Sequence, residues 1–127
     1  MVAKFKVAPS KGGIDLYKES ANTNITDNNN CYDLSHAWYG IYNSENEAKS
    51  GSNEIVRIET NRYETENGVP YWYANTANNA FQLNKEYWVK EVVAPQGYAL
   101  DGNVYTVTPT VANGYTTVKK MYLIYTH

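Results

Sequence analysis

Two charged side chains fall at positions where an alternating strand pattern predicts the core of the protein. Lys18 shares one strand face with the apolar Ile14, and Glu91 shares another with Val89. Burying a charged group is costly unless the group is paired or changes its protonation state. The two residues therefore need either buried partners or a chemical role. The alternative for Glu91 is a position at the rim of a sheet, in water.

Aromatic residues form a second candidate site. Tyr71, Trp72 and Tyr73 are consecutive, and together with Trp38 and Trp88 they could stack against sugar rings, with nearby Asn side chains bonding the hydroxyls. Alternate aromatic residues also fill or cover a β-sandwich, and this is the favoured interpretation. Trp38 and Trp88 are expected to face outward, because their neighbours along the strand face the core. Any ligand surface is to be sought at these aromatic side chains.

Short strands must position these side chains, since helix-forming runs are scarce and Tyr, Thr, Val and Asn are abundant. Asn67-Gly68 is a strong hairpin signal, and residues 43–51 are predicted to form a short helical turn closed by Gly51. About seven short strands in a chain of this length indicate an immunoglobulin-like β-sandwich. The predicted strands cover residues 14–18, 37–42, 55–59, 69–74, 87–92, 104–110 and 116–125.

Length, charge and composition narrow the class of protein. The chain has 127 residues, of which 43% are hydrophobic, so it can bury one core. We expect residues 1–11 to be a linker or extra edge strand and residues 12–127 to form a single domain. The net charge of -2 argues against nucleic-acid binding, which needs a basic face. No apolar run approaches the roughly 20 residues that span a bilayer, so direct membrane insertion is not expected.

Few residues are available for metal binding or catalysis. Cys31 is the single cysteine, which excludes an internal disulfide and a multi-cysteine zinc site. His36 and His127 are too few and too distant in sequence to indicate a metal centre, so no metal or other cofactor is predicted. No nucleophile-and-base pattern or phosphate-binding loop stands out. The sequence therefore predicts no enzyme that turns over a substrate. Separately, the segment 1–6 lacks the apolar part of an export signal.

The residues that follow Tyr87 resemble a known motif, the E-box of the Cna B-type (SpaA-like pilin) domains of Gram-positive surface proteins. That motif consists of a tyrosine, a glutamate and then a Pro-x-Gly-Tyr group. The corresponding residues here are Tyr87, Glu91, Pro95, Gly97 and Tyr98.

Two further segments are similar to the same family, in the expected order. Residues 13–18 resemble its first strand, with the family's lysine at Lys18. Residues 37–42 resemble its second strand, although His36 replaces the usual glycine. The resemblance covers about residues 12–127 and implies an all-β, immunoglobulin-like (prealbumin-like) sandwich of the Cna B type.

The resemblance also implies a self-crosslinking site. In many members the first-strand lysine attacks an Asn or Asp side chain near the last strand, the E-box glutamate assists, and an isopeptide bond forms. Lys18 and Glu91 take these two positions, and burial is expected to keep the amine neutral and the carboxyl protonated. The acceptor is not identified, because residues 116–127 contain neither Asn nor Asp. Asn113 is a weak candidate within a turn signal, and a buried ion pair between Lys18 and Glu91 is the alternative.

The sequence predicts a structural stalk or pilin-type module of a cell-wall-associated surface protein or adhesin. Its expected location is the cell surface of a Gram-positive bacterium, and its expected partners are neighbouring domains of the same protein. The alternative is a module that binds a carbohydrate or a host protein through its exposed aromatic residues.

Overall fold

The computed structural model describes residues 11–20, 34–66, 69–77, 79–111 and 118–125. These residues form two β-sheets and one short helix, which confirms the predicted all-β class. The helix is α1 (Glu45–Ser50). The strands are β1 (Lys11–Ser20), β2 (Trp38–Tyr42), β3 (Val56–Glu59), β4 (Arg62–Glu66), β5 (Val69–Asn75), β6 (Phe81–Gln82), β7 (Tyr87–Val93), β8 (Val104–Val107) and β9 (Val118–Tyr125).

The two sheets pack as a sandwich. The first has the order β4-β5-β1-β6, with β9 also paired to β1, and the second has the order β3-β2-β7-β8. All described strand pairs are antiparallel except β1 and β9, which run parallel from the pair Gly13–Val118 to the pair Ser20–Tyr125. The first and last described strands are therefore neighbours within one sheet.

Alternation along the strands builds the core, because successive side chains of a strand point to opposite faces. Ile14 and Leu16 on β1 face Tyr39 and Ile41 on β2, and the exposed fraction of each is 0%. The core-facing position predicted for Ile14 is confirmed. The cluster is completed by Leu34, Ala37, Ile58, Ala74, Phe81, Tyr87, Val89, Tyr98 and Val107.

The predicted helical turn is confirmed as α1. The Ser44 hydroxyl accepts a hydrogen bond from the Glu47 N–H at 3.2 Å, which caps the start of the helix. Gly51 ends it in the left-handed conformation with a φ of 72°, where a side chain would be strained. Ala48 is fully buried, and α1 packs against β2, β7 and β8.

Several sequence predictions concern residues that lie outside the described ranges. They include the linker or edge strand, apart from Lys11 in β1, and also Cys31, Asn113 and His127. β4 and β5 pair as far as Glu66 and Val69, as the predicted hairpin requires, but its turn residues are outside the described part. Within the described residues, no helix has the length and apolar character needed to cross a membrane.

Candidate functional site

The predicted lysine and glutamate are both brought into the interior of the sandwich. Lys18 comes from β1 in the first sheet, Glu91 comes from β7 in the second, and both are 0% exposed. Their burial follows from strand alternation, since Lys18 continues the core face of Leu16. The rim position considered for Glu91 is therefore wrong.

Tyr39 connects the two charged residues. It lies opposite Glu91 in the pairing of β2 with β7, and its hydroxyl donates a hydrogen bond to Glu91 Oε2 at 2.8 Å. The Lys18 Nζ atom lies over the Tyr39 ring, 4.6 Å from its centroid. A cation at this distance from an aromatic face is attracted by the ring. One side chain thus contacts both members of the predicted pair.

The other oxygen of Glu91 is held by the loop that follows β7. The backbone N–H of Asp101 donates to Glu91 Oε1 at 2.8 Å. The chain reaches this point by turning at Gly97, which has a φ of 88°, and by burying Tyr98, whose N–H donates to the Pro95 carbonyl. The Pro-x-Gly-Tyr part of the motif therefore places a backbone donor on the glutamate.

The Asp101 carboxylate has partners of its own. One of its oxygens accepts from the Asn103 N–H at 2.9 Å, and the other accepts from the Tyr105 hydroxyl on β8. Burial and this hydrogen bond raise the pKa of Tyr105, so its hydroxyl remains a donor at neutral pH. These bonds fix the loop against β8.

The electrostatics of the site favour a reactive amine at Lys18. Burial lowers its pKa from the ordinary value of 10.5 to about 7, while the Glu91 and Asp101 carboxylates oppose this effect. Loss of hydration dominates, because the interior solvates an ammonium ion poorly. A large fraction of Lys18 is therefore neutral and nucleophilic near neutral pH.

The residues directly opposite Lys18 on the two neighbouring strands are neither Asn nor Asp. In the register of the first sheet, Lys18 lies opposite Trp72 on β5 and Leu123 on β9. Strand β9 contains neither Asn nor Asp. The weak candidate Asn113 lies outside the described residues.

The aromatic candidates whose side chains are described, Trp38, Trp72, Tyr73 and Trp88, are divided between the two sheets. Trp38 and Trp88 lie on the outer face of the second sheet, between buried neighbours, and both are half-buried. Trp72 packs against the core from β5 and makes an edge contact with Tyr63, with ring centroids 5.5 Å apart.

The two tyrosines beside Trp72 on β5 occupy different surroundings. Tyr73 lies on the opposite face of the first sheet from Trp72, where it stacks on Tyr17 with a centroid distance of 5.0 Å. Tyr71 also lies on β5, and its side chain is outside the described part of the structure. Among the described side chains, those on β5 therefore belong to a different sheet from the two outward tryptophans.

Two contributors to the Lys18 site were not predicted from the sequence. The hydroxyl bond of Tyr39 depends on the pairing of β2 with β7. Asp101 contributes through its backbone N–H, which has no signature in the residue type. Among the described residues, no group of three or more possible metal ligands lies together.

The fold of the described residues, two packed β-sheets in which β1 and β9 run parallel, is similar to that of solved pilin proteins of Gram-positive bacteria. It is similar to the TIE protein of Bacillus anthracis, with a TM-score of 0.58 and 19% identity over 91% of this chain. It is also similar to a variant of BcpA, the major pilin subunit of Bacillus cereus, with a TM-score of 0.55, 17% identity and the same coverage. The group B streptococcus pilus 2b backbone protein gives a TM-score of 0.55 and 15% identity, again over 91%.

These similarities confirm the predicted fold and the resemblance on which it was based. The chain spans 17%, 28% and 40% of the three solved chains, so it corresponds to one part of each. No family model and no curated protein matches the sequence.

Proposed function

We propose that this chain is a structural stalk or pilin-type module of a cell-wall-associated surface protein in a Gram-positive bacterium. The observation that carries the proposal is the parallel pairing of β1 with β9, seen in a fold shared with pilin subunits. In this role the module connects neighbouring domains and is located outside the cell. Its covalent chemistry, where present, is a single self-crosslinking event.

The pairing of β1 with β9 suits a domain that carries tension. The two strands run in the same direction, so the start of β1 and the end of β9 lie at opposite ends of the ladder. Tension applied at these two points pulls the strands past each other. The backbone hydrogen bonds of the ladder are then loaded together, and a large force is needed to separate the strands.

Single-molecule force spectroscopy tests this function directly. The domain is pulled in one experiment through the two chain ends, and in a control through handles at Lys11 and Lys120. The control points are exposed and lie near the same end of the ladder, so the strands are peeled apart bond by bond. We expect the unfolding force to be clearly higher for the chain ends. Equal forces in the two geometries would refute a load-bearing role for this ladder.

We further infer that Lys18 is not crosslinked to the last described strand. The support is the composition of that strand, which contains neither Asn nor Asp. Intact-mass measurement of the purified chain tests the inference. A mass equal to that of the sequence is expected, whereas the loss of one ammonia or one water would show that another residue has reacted with Lys18.

The alternative function, binding of a sugar or a host protein, requires a surface that brings aromatic side chains together. Trp38 and Trp88 lie on one sheet and Trp72 and Tyr73 on the other, so no described feature favours it.

A further inference from the structure

The large apolar side chains that stay exposed are concentrated at one end of the sandwich. Among the described residues they are Ile55, Tyr63, Val93 and Leu100, with exposed fractions from 40% to 58%. Tyr63, Val93 and Leu100 lie at the end toward which β1 and β9 both run. This end is named the exit end, because the chain leaves β9 there, and the opposite end is named the entry end.

Val93 is placed at the exit end by the direction of β7, which is that of β1. The first residue of β7, Tyr87, contacts Phe81 on β6, the strand that pairs with the start of β1. Glu91 lies level with Lys18 near the end of β1, since one tyrosine contacts both. Val93 continues β7 beyond Glu91 and therefore belongs to the exit end.

The other three exposed residues are placed by their neighbours. Leu100 directly precedes Asp101, whose N–H donates to the exit-end carboxylate of β7. Tyr63 pairs with Trp72 on β5, which lies opposite the last part of β1. Strands β3 and β7 both pair antiparallel with β2, so β3 also runs toward the exit end. Ile55 directly precedes β3 and therefore lies toward the entry end.

The loop of residues 94–103 presents Leu100 on a fixed backbone. Its turn is closed by the Tyr98 N–H, which donates to the Pro95 carbonyl at 3.1 Å. Its return to the sandwich is fixed by the Asp101 N–H, which donates to Glu91 at 2.8 Å. Because these bonds order the loop before a partner arrives, docking on it requires little further ordering.

The exposed part of this loop carries no charge. Its exposed residues are Gln96, Gly97, Ala99, Leu100, Gly102 and Asn103. Asp101 is the one charged residue of the loop, and its carboxylate accepts hydrogen bonds from the Asn103 N–H and the Tyr105 hydroxyl. Burying an unpaired charge is the costly step in covering a surface. Covering this loop avoids that cost.

We propose that the exit end, through Leu100, Val93 and Tyr63, is the docking surface for the domain that follows this one in the same polypeptide. The proposal rests on the pilin-type module function and identifies which neighbouring domain is contacted, and through which residues. Its support is the direction of β9, because residues that follow this strand start from the exit end. A following domain is thus held beside the surface by its own linkage.

The size of the surface favours a linked domain over a free partner. An aromatic side chain buries roughly 150–250 Å² in full, so Tyr63 at 58% exposure offers roughly 90–150 Å². With the smaller Val93 and Leu100, the three side chains together offer less than about 400 Å². A stable complex of free proteins buries about 800 Å² on each partner. A domain on a short linker is present at a millimolar effective concentration, so a smaller surface is sufficient.

Footprinting of side chains with hydroxyl radicals tests the proposal. The chain alone is compared with the full-length polypeptide that contains it. In the full-length protein the oxidation of Leu100 and Val93 should fall severalfold. Ile55 is the matched control, an exposed aliphatic side chain at the entry end, and its oxidation should be the same in both samples. Equal oxidation of Leu100 and Val93 in the two samples would overturn the proposal, as would protection of Ile55 in their place.

A substitution then tests whether Leu100 takes part in docking. In the full-length protein, Leu100→Ser should restore the oxidation of Val93 and Tyr63, whereas Ile55→Ser should not. In the chain alone, Leu100→Ser should leave the urea midpoint nearly unchanged, because the side chain is half exposed. A Val93 that stays protected in the full-length Leu100→Ser protein would contradict the docking role of Leu100.

A free second copy of the chain is the competing occupant, and sedimentation of the chain alone distinguishes it. We expect a monomer at all accessible concentrations. Self-association that Leu100→Ser abolishes would overturn the proposal in favour of a second copy. Failure of the docking proposal can be told apart from failure of the stalk function, because the force experiment depends on the ladder of β1 and β9 and not on the exit end.

Discussion

The buried amine of Lys18 predicts that the domain becomes more stable as the pH rises above neutral. In the folded state its pKa is about 7, against 10.5 when the chain is unfolded. Between these two values the unfolded chain holds one more proton at this residue than the folded chain, so the free energy of unfolding increases with pH. The slope approaches about 1.4 kcal/mol per pH unit above the folded-state pKa, which gives about 2 kcal/mol between about pH 7 and about pH 9.

The full gap between the two pKa values corresponds to about 5 kcal/mol, which is comparable with the total stability of many small domains. Below about pH 7 the amine is protonated in both states, and its contribution no longer changes with pH. The Glu91 and Asp101 carboxylates already oppose the shift, so the predicted gain is what remains after their attraction.

Urea unfolding of the wild type and of Lys18→Met at several pH values measures this effect. The difference in unfolding free energy between the two proteins should follow the slope given above, because the other titrating groups are common to both and cancel. A difference that stays flat from pH 7 to pH 9 would refute the account. An acylated Lys18 would also give a flat difference, and intact mass separates that case.

Three further substitutions test the local geometry, each followed by chemical denaturation. His36 has a φ of 64°, which glycine adopts more easily than alanine. The free energy of unfolding should therefore be about 1 kcal/mol higher for His36→Gly than for His36→Ala, and equal values would contradict backbone strain at this position. Gly40→Ala should lower the free energy of unfolding by about 1–3 kcal/mol, because a Cβ atom would lie 2.5 Å from the Tyr42 hydroxyl oxygen. An unchanged stability would show that the Tyr42 side chain moves aside at no cost. Thr60→Val should lower the free energy of unfolding by about 1–3 kcal/mol, because it removes the buried hydroxyl that donates to the Leu34 carbonyl at 2.7 Å. An unchanged stability would mean that water or another group donates to that carbonyl.

The left-handed backbone at His36 explains why the family pattern has a glycine at this position. The resemblance places a glycine at this position, and the structure shows a left-handed backbone there, which glycine adopts without steric cost. His36 is 78% exposed in its side chain and pairs with Glu59 at 3.0 Å. An exposed pair of this kind contributes little to the free energy of unfolding. It therefore offsets only a small part of the cost of the left-handed backbone at His36.

The strand faces could be predicted from the sequence because the pleat fixes which side chains share a face. For this reason alternation alone predicts core-facing positions for Lys18 and Glu91. Strand β4 was missed because its residues are largely polar, and the strand lies at the edge of its sheet. Strand β6 has two residues and exists only through its pairing with the start of β1, which no local pattern reveals.

The details of the site depend on register, and register is a property of strand pairs. The position of Leu123 opposite Lys18 follows from the parallel ladder of β1 and β9, whose residues are more than 100 positions apart in the sequence. The hydrogen bond from Tyr39 to Glu91 likewise follows from the pairing of β2 with β7. The aromatic run at residues 71–73 looked like a surface in the sequence, but alternation on β5 sends its neighbouring side chains to opposite faces.

Stability alone does not explain why a lysine occupies position 18. At neutral pH its burial costs several kcal/mol relative to the unfolded chain, and an apolar residue of similar volume would avoid that cost. The same burial lowers the pKa of the amine to about 7, and the Glu91 carboxylate is held by hydrogen bonds from Tyr39 and Asp101. These are the properties of a nucleophile and its proton carrier, which a merely structural pair does not require. This geometry agrees better with the proposed crosslinking role of Lys18 and Glu91 than with a purely stabilising pair.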